Sequence, residues 1–331
     1  MPKISLIMPF FQAGDFIREA ILSLMDQDFS DWELIAVDDQ SSDHSRSVVE
    51  ELAADDSRIR LFINKEKGII PALVLGLRKA KGEYVGRFDA DDLLPPDRLR
   101  LMLNLLEGSS AKTIVTGLVQ YFSDRPISTG YAKYQDWLNE LNLNGQTWTD
   151  IYRECVIASP NWLMRREELL NIGGFNNLEY PEDYDWCFRC YQHNFEVHCL
   201  SSTTLLWREH PNRTSRNSAH YQQESFFTLK LQRFIELESF EELVLWGSGR
   251  KARITAALLK KKGIRFRWMD LEPHRFPEGI LGFPIEDYRK LESRSGIKVL
   301  IGVYPNPAER KDLEAFLLSR HLKPGSDYWY L

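Results

Sequence analysis

The alternation of short apolar runs with amphipathic stretches over the first hundred residues constrains the fold most. Apolar runs typical of strands cover residues 4–9, 33–37, 59–63 and 84–88. Between them lie stretches such as residues 16–24, where apolar side chains recur at the 3.6-residue spacing of a helix. Strands that alternate with helices form a mostly parallel sheet with helices on both faces, so the sequence predicts an α/β fold.

Paired carboxylates follow two of the expected strands directly. Asp38 and Asp39 follow the second, in IAVDDQSSD, and Asp89 and Asp91 follow the fourth, in VGRFDADD. Ligands of open α/β sheets bind at the carboxyl ends of strands. Two carboxylates there can hold Mg²⁺ or Mn²⁺, which prefer oxygen ligands and readily share a diphosphate. A DxD tripeptide alone is equally typical of a solvated loop or helix cap, and its position after a strand favours the metal.

Two further polar clusters lie later in the chain. Glu182 and Asp183, in YPEDYDW, can supply a general base, although such a pair also suits a helix N-terminus, where the dipole favours negative charge. Arg208 and His210, in LLWREHPNRTS, indicate an anion-binding segment. His210 taken alone would more often be an ordinary surface or core histidine.

The composition limits the class of protein. The 331 residues carry a net charge of −6, with 43% hydrophobic and 12% aromatic residues, which fits a soluble globular protein and argues against nucleic acid as the main partner. No apolar run approaches the roughly 18 residues of a membrane-spanning helix. The first ten residues are expected to form a strand rather than a signal peptide. We expect a cytoplasmic protein, with peripheral association at the inner face of the membrane as a further expectation.

The cysteines do not indicate a metal site. Cys187 and Cys190 form a CxxC in WCFRCYQ, which has the spacing of neighbours on one helix face. Neither a second CxxC nor a redox βαβ context accompanies them, so buried core thiols are favoured over a zinc or redox pair.

The regular pattern stops near residue 119 and returns near residue 243. Residues 123–150 are polar but rich in aromatics, and we expect an irregular loop whose aromatics either stack on a sugar or pack against the protein. The returning pattern predicts a boundary near residue 238, with domains at 1–238 and 239–331.

A glycine-rich turn, GSGRKA, begins the helix of the second domain, and Asp270 follows about twenty residues on, as in a dinucleotide fingerprint. Roughly ninety residues are too few for a complete two-lobed nicotinamide domain. A structural, regulatory or partner-docking unit is favoured, and a nicotinamide oxidoreductase is the alternative.

Several of these segments carry a family resemblance. Residues 9–43, with GEYVGRFDADDLLPPDRL, resemble the nucleotide-sugar-binding half of the inverting glycosyltransferases of family 2, which have the GT-A fold. MRREELLNIGGFN and PEDYDWCFR resemble that family's acceptor half, and the resemblance covers roughly residues 1–220. It implies a GT-A domain followed by a small Rossmann-like α/β domain. It also implies transfer of a sugar from a nucleotide-sugar donor, expected to be UDP-linked, to a hydroxyl of a glycan or glycolipid, as in bacterial surface polysaccharide or glycoconjugate synthesis.

The resemblance also assigns roles to single residues. Asp183, beside Glu182, matches the general base, with Asp185 as the alternative. The divalent metal, Mn²⁺ or Mg²⁺, matches Asp91 as direct ligand, together with Asp89 and His210. Asp39 matches the carboxylate that bonds the base, and Asp38 its neighbour near the ribose. The residues matched to nucleotide-sugar binding are Pro9, Phe10, Phe11, Asp38, Asp39, Asp89 and Arg208.

The sequence departs from the family pattern in three ways. Gln12 stands where asparagine is commoner, and Gln40 stands where glycine often follows the paired aspartates. The Gln-x-x-Arg-Trp signature of processive synthases is absent after Asp183, which favours the addition of single sugars. A competing hypothesis is a scaffold protein that binds nucleotide without turnover, against which the intact Asp89, Asp91 and Asp183 argue. The sequence predicts no oligomeric state.

Overall fold

A computed structural model describes residues 1–176, 178–213, 217 and 219–331. The chain divides into two compact units, the first of residues 1–147 and 156–217 and the second of residues 148–155 and 218–331. This division groups residues 218–238 with the second unit, whereas the sequence places them in the first domain. The division into functional domains at residue 238 stays a prediction.

The first unit is built on one seven-stranded sheet. Its strands are β1 (Ile4–Phe10), β2 (Trp32–Asp38), β3 (Ile59–Ile63), β4 (Tyr84–Arg87), β5 (Thr113–Phe122), β6 (Leu163–Arg165) and β7 (Glu196–Arg208). Their order is β3-β2-β1-β4-β6-β5-β7. Only β6 runs antiparallel to its neighbours β4 and β5, and the other described pairs are parallel. The predicted α/β class is confirmed.

Helices cover both faces of this sheet. They are α1 (Ile17–Met25), α2 (Ser45–Asp55), α3 (Ile69–Lys79), α4 (Arg98–Glu107), α5 (Thr129–Leu143), α6 (Arg166–Asn171) and α7 (Glu182–Gln192). Alternate residues of β2 point to opposite faces, since successive strand side chains do so. Leu34 belongs to the main core with α1, α2 and α4, whereas Ile35 and Val37 pack with Ala72 of α3.

The expectation of an irregular loop over residues 123–150 is wrong, because α5 occupies most of it. The Ser128 side chain caps this helix by accepting from the Tyr131 amide. Tyr134 and Trp137 pack against the main core, and the ring of Trp207 stacks on Tyr121 with centroids 5.0 Å apart. The aromatics recur at helical spacing among polar residues, so they form the buried stripe of an amphipathic helix.

The second unit contains a separate parallel sheet, as expected for a small Rossmann-like domain. Its strands are β8 (Glu242–Trp246), β9 (Arg267–Asp270), β10 (Ile285–Asp287), β11 (Ile297–Ile301) and β12 (Tyr328–Tyr330), and its helices are α8 (Gln223–Leu237), α9 (Arg250–Lys261) and α10 (Pro307–Ser319). The strand order is β10-β9-β8-β11-β12. Across the residues that the structure describes in both units, no helix is long and apolar enough to cross a membrane.

Candidate active site

The carboxyl edge of the first sheet gathers the residues that the sequence singles out. Phe10 at the end of β1 lies opposite Asp38 at the end of β2, and Asp89 follows the parallel neighbour β4 after one residue. Arg208 ends β7, which runs parallel to β5. Because parallel strands end at the same edge, these side chains occupy the place where ligands of open α/β sheets bind.

The carboxylates of Asp38 and Asp39 are both bonded to neighbouring loops. Asp38 is completely buried and accepts from Arg46 Nε at 2.7 Å. Both oxygens of Asp39 accept from the Gly68 amide at 2.9 Å, and Oδ1 also accepts from Asn64 Nδ2 at 2.7 Å. These bonds fix the loops that follow β2 and β3 at the sheet edge. The contacts of Asp38 and Asp39 with ribose and base stay predictions.

Three residues around this pair have left-handed backbone conformations. The φ angles are +131° at Gly68, +65° at Gln40 and +52° at Gln12, a region that glycine adopts freely and asparagine more readily than most residues. The two departures from the family pattern therefore lie where the backbone favours the family's usual residues. The Gln12 side chain offsets part of this cost, since its Oε1 accepts from the amides of Ser42 at 2.8 Å and Asp43 at 3.1 Å.

The three residues assigned to the nucleoside at the end of β1 differ in exposure. Pro9 and Phe10 are buried, and Phe10 belongs to the main core. The Phe11 ring is 48% exposed, and the Lys67 ammonium lies 4.4 Å from its centroid. Among these three residues, Phe11 is therefore the side chain that a ligand can reach.

Arg87, the last residue of β4, links the DxD segment to the Glu182–Asp183 pair. Its Nε donates to Asp89 Oδ1 at 2.7 Å, and its Nη1 donates to Glu182 Oε1 at 3.1 Å. The Glu182 side chain is only 2% exposed, so the guanidinium compensates a carboxylate with little access to water. Burial raises the pKa of Asp89, and the charge of Arg87 opposes that rise.

His210 and Arg208, at and beyond the end of β7, both contact Asp91. His210 Nε2 lies 2.9 Å from Asp91 Oδ2, and Arg208 Nε donates to the Asp91 carbonyl at 2.8 Å. The His210 ring packs on Phe16 with centroids 4.4 Å apart. Burial alone would raise the pKa of Asp91, but the hydrogen bond from His210 and the charge of Arg213 outweigh it and hold the pKa below its usual value.

The Arg208 guanidinium has further partners besides Asp91. Its Nη2 donates to Glu19 Oε2 at 2.6 Å, and the group lies 4.5 Å from the centroid of the Phe122 ring. The Arg208 amide donates to Asp92 Oδ1 at 2.9 Å, which ties the end of β7 to the DxD segment. A contact of Arg208 with a diphosphate stays a prediction. The rest of the predicted anion-binding segment, Thr214 and Ser215, lies outside the described residues.

Asp92 and two arginines form a charged layer beneath the DxD segment. Asp92 is 1% exposed, and burial together with the charges of Asp91 and Asp89 raises its pKa well above the usual range. Burial lowers the pKa of Arg98 to about 10. Burial acts in the same direction on Arg213, but the charges of Asp92 and Asp91 outweigh it and raise the pKa of Arg213.

Asp183 lies in the first turn of α7, and the expectation that this pair sits on a loop is therefore wrong. Its Oδ1 accepts from the Tyr184 amide at 2.8 Å. Burial and the charge of Glu182 raise the pKa of Asp183 to about 7, and the charge of Arg87 opposes the rise. A carboxyl group with this pKa can exchange a proton near neutral pH, which is the property of an efficient general base.

A small cavity adjoins Asp183. The rings of Trp162 and Trp186, both on its wall, stack with centroids 4.6 Å apart. The residues that line it are Leu73, Arg87, Ser159, Trp162, Phe175, Leu178, Glu182, Asp183 and Trp186.

Asp185, the alternative base, is bound within the protein. Its side chain is completely buried, its Oδ2 accepts from the Glu179 amide at 3.0 Å, and Arg189 Nη2 lies 3.4 Å away. Cys187 and Cys190, on the same helix, are buried free thiols, as predicted. Burial raises the pKa of Cys190 well above its usual value.

A divalent cation would find its ligands at Asp91 and His210, with Asp89 close enough to act on Asp91 electrostatically. Within the described ranges, no group of three His, Cys, Asp or Glu side chains forms a complete metal cage. Mg²⁺ at nucleotide sites is usually held by one or two carboxylates, substrate phosphates and water. The contacting carboxylate and imidazole, whose Nδ1 atom is buried and unpaired among the described contacts, fit such a donor set.

The glycines of the second unit lie in the loop between β8 and α9. Gly247 has a φ of +94°, and a Cβ atom there would lie 2.2 Å from Val303 Cγ1. A Cβ atom on Gly302, after β11, would lie 2.6 Å from the Cβ of Ala252. Close packing of these two loops is sufficient reason for glycine at both positions. A dinucleotide site there stays a prediction.

Comparison with known proteins decides the family. The model described as glycosyl transferase family 2 matches residues 5–172, slightly more than half of the chain. The chain belongs to glycosyl transferase family 2. Among relatives of this family 2 chain, TuaG of Bacillus subtilis (strain 168), named for teichuronic acid biosynthesis, is 32% identical over 230 residues, which are 69% of the chain and 88% of TuaG.

Other family 2 relatives are matched over smaller shares of their length. An uncharacterized glycosyltransferase of Haemophilus influenzae is 36% identical over 107 residues, which are 32% of this chain and 43% of that protein. The chain thus spans less than half the length of this relative.

Solved structures confirm the GT-A fold. TarS 1–349 of S. aureus, in complex with UDP-GlcNAc, superposes with a TM-score of 0.56 at 18% identity, over 78% of this chain and 71% of TarS 1–349. The mannosyltransferase PcManGT of Pyrobaculum calidifontis, in complex with GDP-Man and Mn²⁺, gives a TM-score of 0.54 at 22% identity, over 71% of the chain and 64% of PcManGT.

Three residues of the site in this family 2 chain were not predicted from the sequence. Arg87 was the most detectable, because it is the one basic residue in the strand segment YVGR directly before the DxD motif. Asp92 extends that motif by one residue, but its burial depends on β7. Arg213 carries no local signal, since its partners are distant in the chain.

Proposed function

We propose that this protein is a metal-dependent inverting glycosyltransferase that moves a sugar from a nucleotide-sugar donor, UDP-linked in our proposal, to a hydroxyl of a glycan or glycolipid. Asp183 carries the proposal, because its pKa of about 7 and its place beside a cavity suit a general base. The buried and bonded Asp185 is a poorer base, which supports Asp183 over it.

The DxD side of the site supports the binding of a diphosphate with a cation. Asp91 and His210 would hold Mn²⁺ or Mg²⁺, which offsets the charge that develops on a leaving diphosphate. The PcManGT complex, which contains GDP-Man and Mn²⁺, and the TarS complex, which contains UDP-GlcNAc, support this reading by analogy of fold.

In this proposal the two halves of the site divide the chemistry. The acceptor hydroxyl transfers its proton to Asp183 as its oxygen attacks the anomeric carbon, and the bond to the diphosphate breaks on the opposite side. Arg87 contacts Asp89 on one side and Glu182 on the other, so it would hold the two halves in register. A single displacement of this kind inverts the anomeric configuration.

The biological setting is proposed from the relatives. TuaG is named for teichuronic acid biosynthesis, an acidic polysaccharide of the bacterial surface. We propose an acceptor of the same broad class, a growing glycan or a glycolipid.

A screen of nucleotide sugars tests the proposal. Thermal unfolding is measured with UDP- and GDP-linked sugars, each with Mn²⁺ and with EDTA, and donors that bind are assayed for slow hydrolysis. A donor present at about 100 times its Kd stabilises the native state by about 2.7 kcal/mol, enough for a clear shift of Tm. Failure of every donor to raise Tm would contradict the proposal. Binding with no hydrolysis or transfer would favour the scaffold hypothesis.

A further inference from the structure

The cavity beside Asp183 has the size of a single water molecule. Its volume is about 10 Å³, close to the roughly 10–15 Å³ that one water requires and far below the volume of a sugar ring. A water stays in such a place when it finds two to four polar partners. The identity of the polar atoms on the cavity wall therefore decides what it can hold.

Two of the residues that line the cavity contain buried polar atoms without partners. Ser159 Oγ and Trp186 Nε1 are inaccessible to solvent and have no hydrogen-bond partner in the described part of the chain. Trp186 as a whole is 3% exposed. Buried polar groups in folded proteins are almost always hydrogen-bonded, so both atoms require a partner. The indole N–H can only donate, and the serine hydroxyl can donate as well.

The same cavity is lined by two acidic side chains, Asp183 and Glu182. An ionised carboxylate only accepts hydrogen bonds. A water accepts two hydrogen bonds and donates two, so it can connect the donors Ser159 and Trp186 to a carboxylate that neither contacts directly.

We propose that this cavity holds one water molecule that accepts from Trp186 and Ser159 and donates to Asp183, and that Ser159 and Trp186 are positioning residues for the base. The inference rests on the proposed function, in which Asp183 takes the proton of the acceptor. The water orients the carboxylate toward the acceptor side and satisfies both buried donors. Neither residue touches the reacting atoms.

A hydrogen bond donated to the ionised form of a carboxylate favours that form and lowers its pKa. The charged groups that face Asp183 act besides the water, with Glu182 and Asp89 raising the pKa and Arg87 lowering it. Loss of the water should therefore raise the pKa of Asp183 while these charges stay in place.

A crystal structure that resolves ordered solvent is the direct test. We expect density for one water within about 2.6–3.2 Å of Ser159 Oγ, Trp186 Nε1 and a carboxylate oxygen of Asp183. Its loss from crystals of Trp186→Phe, which keeps an aromatic ring in the stack with Trp162, would support the assignment. An ordered cavity without this density in the wild-type protein overturns it, whatever the outcome of any activity assay.

The pH profile of kcat is the second test. Trp186→Phe and Ser159→Ala are each expected to move the acid limb of the profile upward by about one pH unit, the worth of one hydrogen bond to a charged group. Trp162→Phe is the matched control, since it alters the other tryptophan on the same wall and should leave the limb in place. Ser159→Ala removes a single oxygen and keeps the test valid if Trp186→Phe misfolds.

The outcomes separate this inference from the proposed function. Unchanged acid limbs in both variants, or an effect confined to the KM of the acceptor, would overturn the water and assign the cavity to the acceptor. Wild-type activity in Asp183→Asn would instead overturn the proposed base, and the crystallographic density would still decide whether the water is present.

Discussion

Asp91 Oδ2 and His210 Nε2 lie 2.9 Å apart, although 119 positions separate the two residues in the chain. The contact brings a carboxylate and an imidazole, both able to bind a divalent cation, to the carboxyl edge of one sheet. Their approach depends on β7, whose last residue is bonded to the DxD segment through the Asp91 carbonyl and the Asp92 carboxylate.

Asp91→Asn is expected to weaken metal-dependent binding of UDP by about tenfold or more, because a neutral amide is a poorer ligand for a hard cation. Calorimetry with UDP in Mn²⁺ and in EDTA measures the effect. Asp97→Asn, at the start of α4, makes the same chemical change outside the site and serves as control. Equal affinity of the wild-type protein with and without metal would remove the cation from the proposal.

Asp183→Asn is expected to lower transfer or donor hydrolysis by about 10²- to 10⁴-fold and to leave nucleotide affinity nearly unchanged. Asp185→Asn is expected to act on stability instead. It weakens a buried ion pair with Arg189 and should lower the free energy of unfolding by about 1–3 kcal/mol with much less loss of rate. The reverse pattern of rates would transfer the role of base to Asp185.

The activity should fall as the pH drops below about 7, because Asp183 must be ionised to accept a proton. The same group affects stability with a definite sign. A carboxyl whose pKa is higher in the folded state than in the unfolded state favours folding at low pH, and this contribution is lost as the pH rises through about 7. Asp183→Asn should therefore raise Tm relative to the wild type more at pH 8 than at pH 5. An equal difference at both values would contradict the raised pKa.

Gly68→Ala is expected to destabilise the protein by about 1–3 kcal/mol, the usual cost of a side chain in a sparsely populated backbone region. An added Cβ at this position would meet no atom closer than 3.5 Å, so the cost comes from the φ of +131° and not from a clash. Urea unfolding measures it. Gly108→Ala, at a φ of −79° with equal free space, is the matched control and should be close to neutral.

Residues 1–238, our proposed catalytic domain, are expected to fold and bind donor alone. The helix α8 should then lose amide protection, because the Phe234 ring contacts Phe240 and Trp329, which this shorter chain lacks. Hydrogen exchange of the shortened and full chains tests this. Loss of protection throughout α1 to α4, or failure to bind donor, would show that the boundary is wrong.

Local periodicity was sufficient to predict much of the first sheet and its helices. In α1, for example, the apolar spacing identified Ile17, Ala20, Ile21 and Leu24, all of which are buried. The spacing fails where one element lacks a strong pattern of its own. The strand β6 has three residues and depends on β4 and β5 for its hydrogen bonds, and α5 is polar apart from its aromatic stripe.

The candidate site was predictable only in its acidic residues. The carboxylates at strand ends follow from the order of apolar and acidic segments, whereas their partners come from distant parts of the chain. The Gly68 amide that bonds Asp39 lies 29 positions away, and the Arg87–Glu182 ion pair spans 95 positions. Such contacts depend on the packing of whole elements, so no local pattern contains them.

The interlocked glycines of the second unit affect how variation in this protein should be interpreted. Gly247 and Gly302 each face a side chain of the opposing loop, whereas a Cβ at Gly249 would meet only a carbonyl oxygen at 3.6 Å. Evolutionary drift is therefore permitted at the third position of the turn and blocked at the first. A glycine signature compared across species would persist at 247 and 302 through steric selection alone, even in descendants that bind no small molecule there.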